Sequence, residues 1–143
     1  MAWRGAQLAL VIEPEDDRHH MLCMPTQAGK KFYISLTHSV EKTTWNDYFV
    51  VRGERNLLLT HTIFESLGWG FPYGEESGSI TRTNDNKFSL TVNRKYTSLP
   101  LRISEQSRQK LVYDDKTYDL IDLYGQGTAL RISVMRRYQC WIK

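Results

Sequence analysis

The segment His38-Ser39-Val40-Glu41-Lys42-Thr43-Thr44-Trp45-Asn46-Asp47-Tyr48 concentrates more reactive side chains than any other stretch of this chain. A histidine, a serine and two carboxylates lie within ten residues, enough for a base, a nucleophile and an orienting acid. His38 and Ser39 are adjacent, however, so in extended chain they point to opposite faces, and a Ser–His pair would need a bend. His38, Glu41 and Asp47 could instead meet around a cation, although their spacing follows no established metal-ligand pattern. The structural alternative is preferred: Ser39 and Thr44 cap a turn, His38 bonds backbone, and Glu41 pairs with Lys42 or an arginine. A second unusual stretch, Gly68 to Gly78, holds four glycines, one proline and three aromatics. Such a loop either shapes a site, its glycines letting backbone approach a ligand, or crosses between sheets plugged by Trp69, Phe71 and Tyr73.

The elements that must position these residues read as strands. Thr occurs twelve times and Ala five, and aromatics make up 12% of the chain, a composition that favours sheet. Phe32, Ile34 and Leu36 alternate with Tyr33, Ser35 and Thr37; Phe88, Leu90 and Val92 alternate with Ser89 and Thr91; Leu130, Ile132 and Val134 alternate with Arg131 and Ser133. Each run predicts a half-buried strand with one polar face. Turn residues separate the runs. Gly53 to Asn56 predicts a hairpin between Tyr48–Arg52 and Leu57–Thr62, and Asn84 to Asn86 another between Ser79–Thr83 and Lys87–Asn93. Asp114-Asp115 joins Lys110–Tyr113 to Thr117–Leu120, and Gly125-Gln126-Gly127 introduces a final strand. The expectation is one all-β domain over residues 1–143, an antiparallel sandwich or flattened barrel of about ten short strands. Short helical turns are expected at Ile63 to Leu67 and Asp119 to Tyr124. His61 should face the polar side of its strand.

Composition closes several function classes. With 41% hydrophobic and 24% charged residues, 143 residues make a globular domain rather than a disordered chain. The longest apolar run, Leu8 to Ile12, is five residues, far short of the ~20 that a membrane helix needs, and it lacks the form of a secretory signal. The net charge is +3, and eleven Arg and eight Lys alternate with sixteen carboxylates instead of clustering. The densest basic spot, Arg136-Arg137-Tyr138 near Trp141 and Lys143, reads as an edge strand with solvated arginines rather than a nucleic-acid surface. No phosphate loop, nucleophile elbow, zinc-binding HExxH or EF-hand pattern occurs, so no cofactor or metal is expected. Cys23 and Cys140 are either two core thiols or one bridge between an early strand and the last one.

Thr37-His38-Ser39-Val40-Glu41, then Trp45-Asn46-Asp47-Tyr48, then Phe64-Glu65-Ser66-Leu67-Gly68-Trp69-Gly70-Phe71-Pro72 together resemble the bacterial domain-of-unknown-function family 1850. That family has a His-Ser-Val-Glu core, a carboxylate followed by Tyr, and a Gly-x-Gly-x-Pro turn. The match falls on His38, Ser39, Val40, Glu41, Asp47, Tyr48, Gly68, Gly70 and Pro72. Asp47 stands where the family usually has Glu, and Trp69 and Phe71 are bulkier than the usual residues of the turn. The hydrophobic N-terminal anchor of exported members is missing here. The resemblance implies no known activity. It implies a non-catalytic accessory or binding protein outside the cytoplasm, in the periplasm or at the cell surface. Its partners would be membrane or solute-binding subunits of a TAXI-type TRAP importer. The alternative is a small hydrolase or metal-dependent enzyme using His38, Ser39, Glu41 and Asp47. If the protein is exported, a Cys23–Cys140 disulfide is expected. His38, Glu41 and Asp47 are expected to converge with the Gly68–Pro72 turn at one end of a sheet.

Overall fold

The computed structural model describes residues 7–15, 21–37, 43–65, 80–84 and 87–141. Within them the chain forms eleven strands: β1 (Leu8–Pro14), β2 (Leu22–Thr26), β3 (Lys31–Thr37), β4 (Thr44–Gly53), β5 (Asn56–Phe64), β6 (Ile80–Arg82), β7 (Phe88–Tyr96), β8 (Leu99–Arg102), β9 (Lys110–Tyr113), β10 (Lys116–Asp119) and β11 (Ala129–Arg136). One turn of helix, α1 (Leu120–Tyr124), precedes β11, and a 3-10 helix, Arg137–Trp141, follows it. The strands divide into a four-stranded sheet, β2-β1-β11-β8, and a seven-stranded sheet, β10-β9-β3-β4-β5-β7-β6. Every described pairing is antiparallel. The fold is therefore an all-β, two-sheet sandwich.

Period-two burial explains the two layers. Leu10 and Ile12 from β1 and Leu130, Ile132 and Val134 from β11 share one core with Phe32, Ile34, Phe49, Val51, Leu57, Leu59 and Phe64 of the large sheet. Phe32 and Phe49 stack across β3 and β4 with centroids 5.1 Å apart. The hydroxyl of Tyr113, on β9, donates to the carbonyl of Pro25, on β2, at 2.6 Å and so ties the layers at their margin. A smaller cluster covers the outer face of the small sheet, where Ala9, Val11 and Cys140 pack with Met21, Cys23 and Met135. Within it Cys23 and Cys140 are bonded, their Cα atoms 6.4 Å apart, which clamps the closing 3-10 helix onto β2.

The predicted hairpins β4–β5, β6–β7 and β9–β10 are all present. Three local expectations change. Ile63 and Phe64 belong to β5 rather than to a helical turn, because Trp45, Asn46, Phe88 and Ser89 hold them in the ladder. The helical turn expected from Asp119 begins at Leu120, since Asp119 is still paired with Lys110. Arg136 ends a strand that has neighbours on both sides only in its first half: β1 pairs from Leu130 to Arg136, while β8 pairs only from Ala129 to Ile132.

The bulge in β5 decides which residues face the core. Tyr48 pairs with His61 but Phe49 pairs with Leu59, leaving Thr60 as the extra residue. One inserted residue reverses the parity of the strand. Leu57 and Leu59 before it, and Thr62 and Phe64 after it, can all face inward, and all four are at most 1% exposed.

Candidate functional site

Asp47 is the one member of the sequence-derived cluster among the described residues; His38, Ser39, Glu41, Gly68, Gly70 and Pro72 lie outside them. It is the fourth residue of β4, which begins at Thr44 and not at the Tyr48 of the predicted hairpin. Its parity matches Trp45, Phe49 and Val51, so its side chain joins the inner face of the large sheet. Across that face runs one row of paired residues: Leu111, Ile34, Asp47, Thr62, Leu90 and Ile80. Four are aliphatic. The two polar members are adjacent, and the Thr62 hydroxyl donates to Asp47 Oδ1 at 2.8 Å. Burial raises the Asp47 carboxyl above its ordinary value of 3.8, and the Thr62 hydrogen bond partly opposes that rise. Two residues nearer the end of the sheet, Trp45 and Phe64 stack at 4.9 Å.

That end of the sheet is where the sequence places its cluster. Thr37 pairs with Thr44 and Trp45 with Phe64, so the last residue of β3, the first of β4 and the last of β5 lie together. The Thr44 amide donates to Glu65 Oε1 at 2.6 Å and joins two of these ends. The proposed meeting of His38 and Glu41 with the Gly68–Pro72 turn falls outside the described residues.

The outer face carries a second row, which no sequence pattern announced. Val112, Tyr33, Tyr48, His61 and Thr91 are consecutive partners across five strands. Tyr33 and Tyr48 lie 4.9 Å apart, and Tyr48 stacks on His61 at 4.6 Å with only 2° between the ring planes. The inserted Thr60 fixes this stack. Its hydroxyl donates to the Tyr48 carbonyl at 3.1 Å and lies 2.8 Å from His61 Nδ1. The hydroxyl thus bridges the Tyr48 carbonyl and the imidazole, and the His61 tautomer decides which partner donates in the shorter contact. Burial, and next the positive charge of Lys31, lower the pKa of His61, so the ring is neutral near pH 7. His61 thus lies on the polar face as expected, but only because the inserted Thr60 reverses the parity that it would otherwise share with Leu57 and Leu59.

Chemically, the inner pair is a protected carboxyl and the outer row a stacked aromatic surface. Among the described residues no three His, Cys, Asp or Glu side chains come together as a metal shell. Thr62 could have been found from sequence only by knowing that β5 carries a bulge, since its parity differs from Leu57 and Leu59.

The sequence profile of the family described as Domain of unknown function (DUF1850) matches residues 32–120, more than half of the chain. The chain belongs to the DUF1850 family. In structural terms the DUF1850 match takes in nearly all of the seven-stranded sheet together with β8, and leaves β1, β2 and β11 outside it. The Asp47–Thr62 pair and the Tyr33–Tyr48–His61 row are both within the DUF1850 segment. No curated protein and no solved structure matches the chain.

Proposed function

We propose that this protein is a non-catalytic accessory or binding protein of the bacterial cell envelope, serving a TAXI-type TRAP solute-uptake system. Membership of DUF1850 supports the accessory role. The observation that carries the envelope location is the Cys23–Cys140 bridge, because such bonds persist in oxidising compartments and are rare in the cytosol. Asp47 serves this reading as a buttress: its carboxyl is held by Thr62 inside an aliphatic row, where it sets the pairing of β4 with β5. The loop ends at the Thr37–Thr44–Phe64 end of the large sheet are the surface offered to the transporter.

Two experiments test this. Protein made with an export signal and recovered without reductant should titrate with no free thiol; two free thiols would remove the envelope assignment. Tagged protein should retain the membrane or solute-binding subunits of the TRAP system encoded in the same genome. Failure to retain either subunit would remove the transporter association.

A further inference from the structure

We propose that a groove at the edge of the small sheet binds a hydroxylated monocarboxylate, a solute of the sugar-acid class. The groove exists because β8 stops short. It pairs with β11 only as far as Ile132, while β11 continues to Arg136. Beyond that point the tip of the β4–β5 hairpin takes over the vacated edge. The Arg55 amide donates to the Val134 carbonyl at 2.9 Å, and Glu54 Oε1 meets Arg136 Nε at 3.2 Å. Between the start of β8 and this tip lies a cavity of about 380 Å³, within the ~300–1,000 Å³ range of small-molecule sites.

Its walls are polar and mostly donating. Arg55, Arg131, Ser98, Ser133 and Gln139 line it, with Glu13 as the one carboxylate. Arg131 is already oriented, since its Nη1 donates to Ser98 Oγ at 2.7 Å and its Nη2 lies 3.5 Å from Glu15. Two guanidinium groups on one cavity select an oxyanion, because each offers a planar fork of N–H donors. Glu13 in the lining and Glu15 beside Arg131 offset the two guanidinium charges, so the site carries no excess positive charge and suits a monoanion better than a phosphate dianion. Serine, threonine and glutamine make up most of the rest, beside Val134 and Met135, which suits a ligand whose body carries hydroxyls.

The groove is independent of the transporter reading, since its binding is measured on purified protein without any partner. Arg131, Ser133 and Glu13 also lie outside the residues that match the family.

The test is calorimetric titration of the intact, disulfide-bonded protein with gluconate, hexanoate and inorganic phosphate, each at constant ionic strength. Gluconate should bind saturably and one to one, more tightly than the other two. Arg55→Gln should weaken it by about tenfold or more, the scale of one lost charge-assisted contact. Arg131→Lys, which keeps the charge but loses the fork, should weaken it too, with an unchanged circular dichroism spectrum certifying the fold of both variants. Absence of saturable binding, equal affinity in Arg55→Gln, or tighter binding of phosphate or hexanoate would overturn the assignment.

Discussion

Thr62 gives its hydroxyl proton to Asp47 across the β4–β5 pair at 2.8 Å, and on the same face both are flanked by Ile34 and Leu90. A carboxyl and a hydroxyl thus interrupt an aliphatic row at its middle. Their partnership is what makes the interruption tolerable, since a buried polar group left alone costs far more than a satisfied one contributes.

Stability should therefore depend on the Asp47 proton. The folded protein holds that proton more tightly than the unfolded chain, because burial raises the carboxyl above 3.8. The resulting stability is present below the unfolded value and is lost as pH rises through the folded one. Urea denaturation across that window should show a declining contribution in the parent protein that disappears in Asp47→Asn. An identical pH profile for the two proteins would count against a raised Asp47 pKa in the folded state.

Thr62→Val should be destabilising by about 1 kcal/mol, the scale of one lost hydrogen bond to a half-buried acceptor. The same substitution should raise the Asp47 pKa further, because the hydroxyl now opposes the effect of burial. Carboxyl-carbon NMR of Asp47 reads the second effect separately from the first.

His61 titrates in the other direction. Its folded pKa lies below the ordinary 6.5, chiefly through burial and then through Lys31. Its contribution to stability is present above the unfolded value and is lost as pH falls through the folded one. Proton NMR of the imidazole should give a midpoint below 6.5, and Lys31→Gln should move that midpoint upward without restoring it fully.

Breaking the Cys23–Cys140 bond should cost up to about 5 kcal/mol in the chain-entropy account, since it closes a loop spanning 117 residues. Denaturation of a Cys23→Ser, Cys140→Ser double variant measures the loss. A midpoint equal to that of the oxidised parent would show that the clamp is dispensable.

The strands themselves were legible in the sequence because each carries its own alternation, and the hairpins because Gly53–Asn56, Asn84–Asn86 and Asp114-Asp115 mark their turns. A sandwich was among the expected architectures, but the assignment of strands to its two sheets was not legible. β1 finds its partner in β11 and β8 finds its partner across α1, and no local pattern encodes such distant pairings. The inward placement of Asp47 could be inferred from its parity with Trp45, Phe49 and Val51. That of Thr62 could not, because the inserted Thr60 changes the parity midway along β5. The tyrosine–histidine row was hidden for a related reason: Tyr33, Tyr48 and His61 become neighbours only once the register of three strands is known. The arginine groove was hidden as well, since it depends on where β8 ends.

The central pairing of β1 with β11 also sets a timetable for biosynthesis. Strands β3 to β7 follow one another and can begin to pair as they leave the ribosome. β1 and β2 precede them yet can complete their sheet only after β11 has been made, with the Cys23–Cys140 closure spanning 117 residues. Until then Leu10 and Ile12 of β1 lack their β11 neighbours Val134 and Ile132. Pairings this far apart in sequence form slowly. A nascent chain of this kind is thus a natural client for a holding chaperone, with its first strands as the segment to be held.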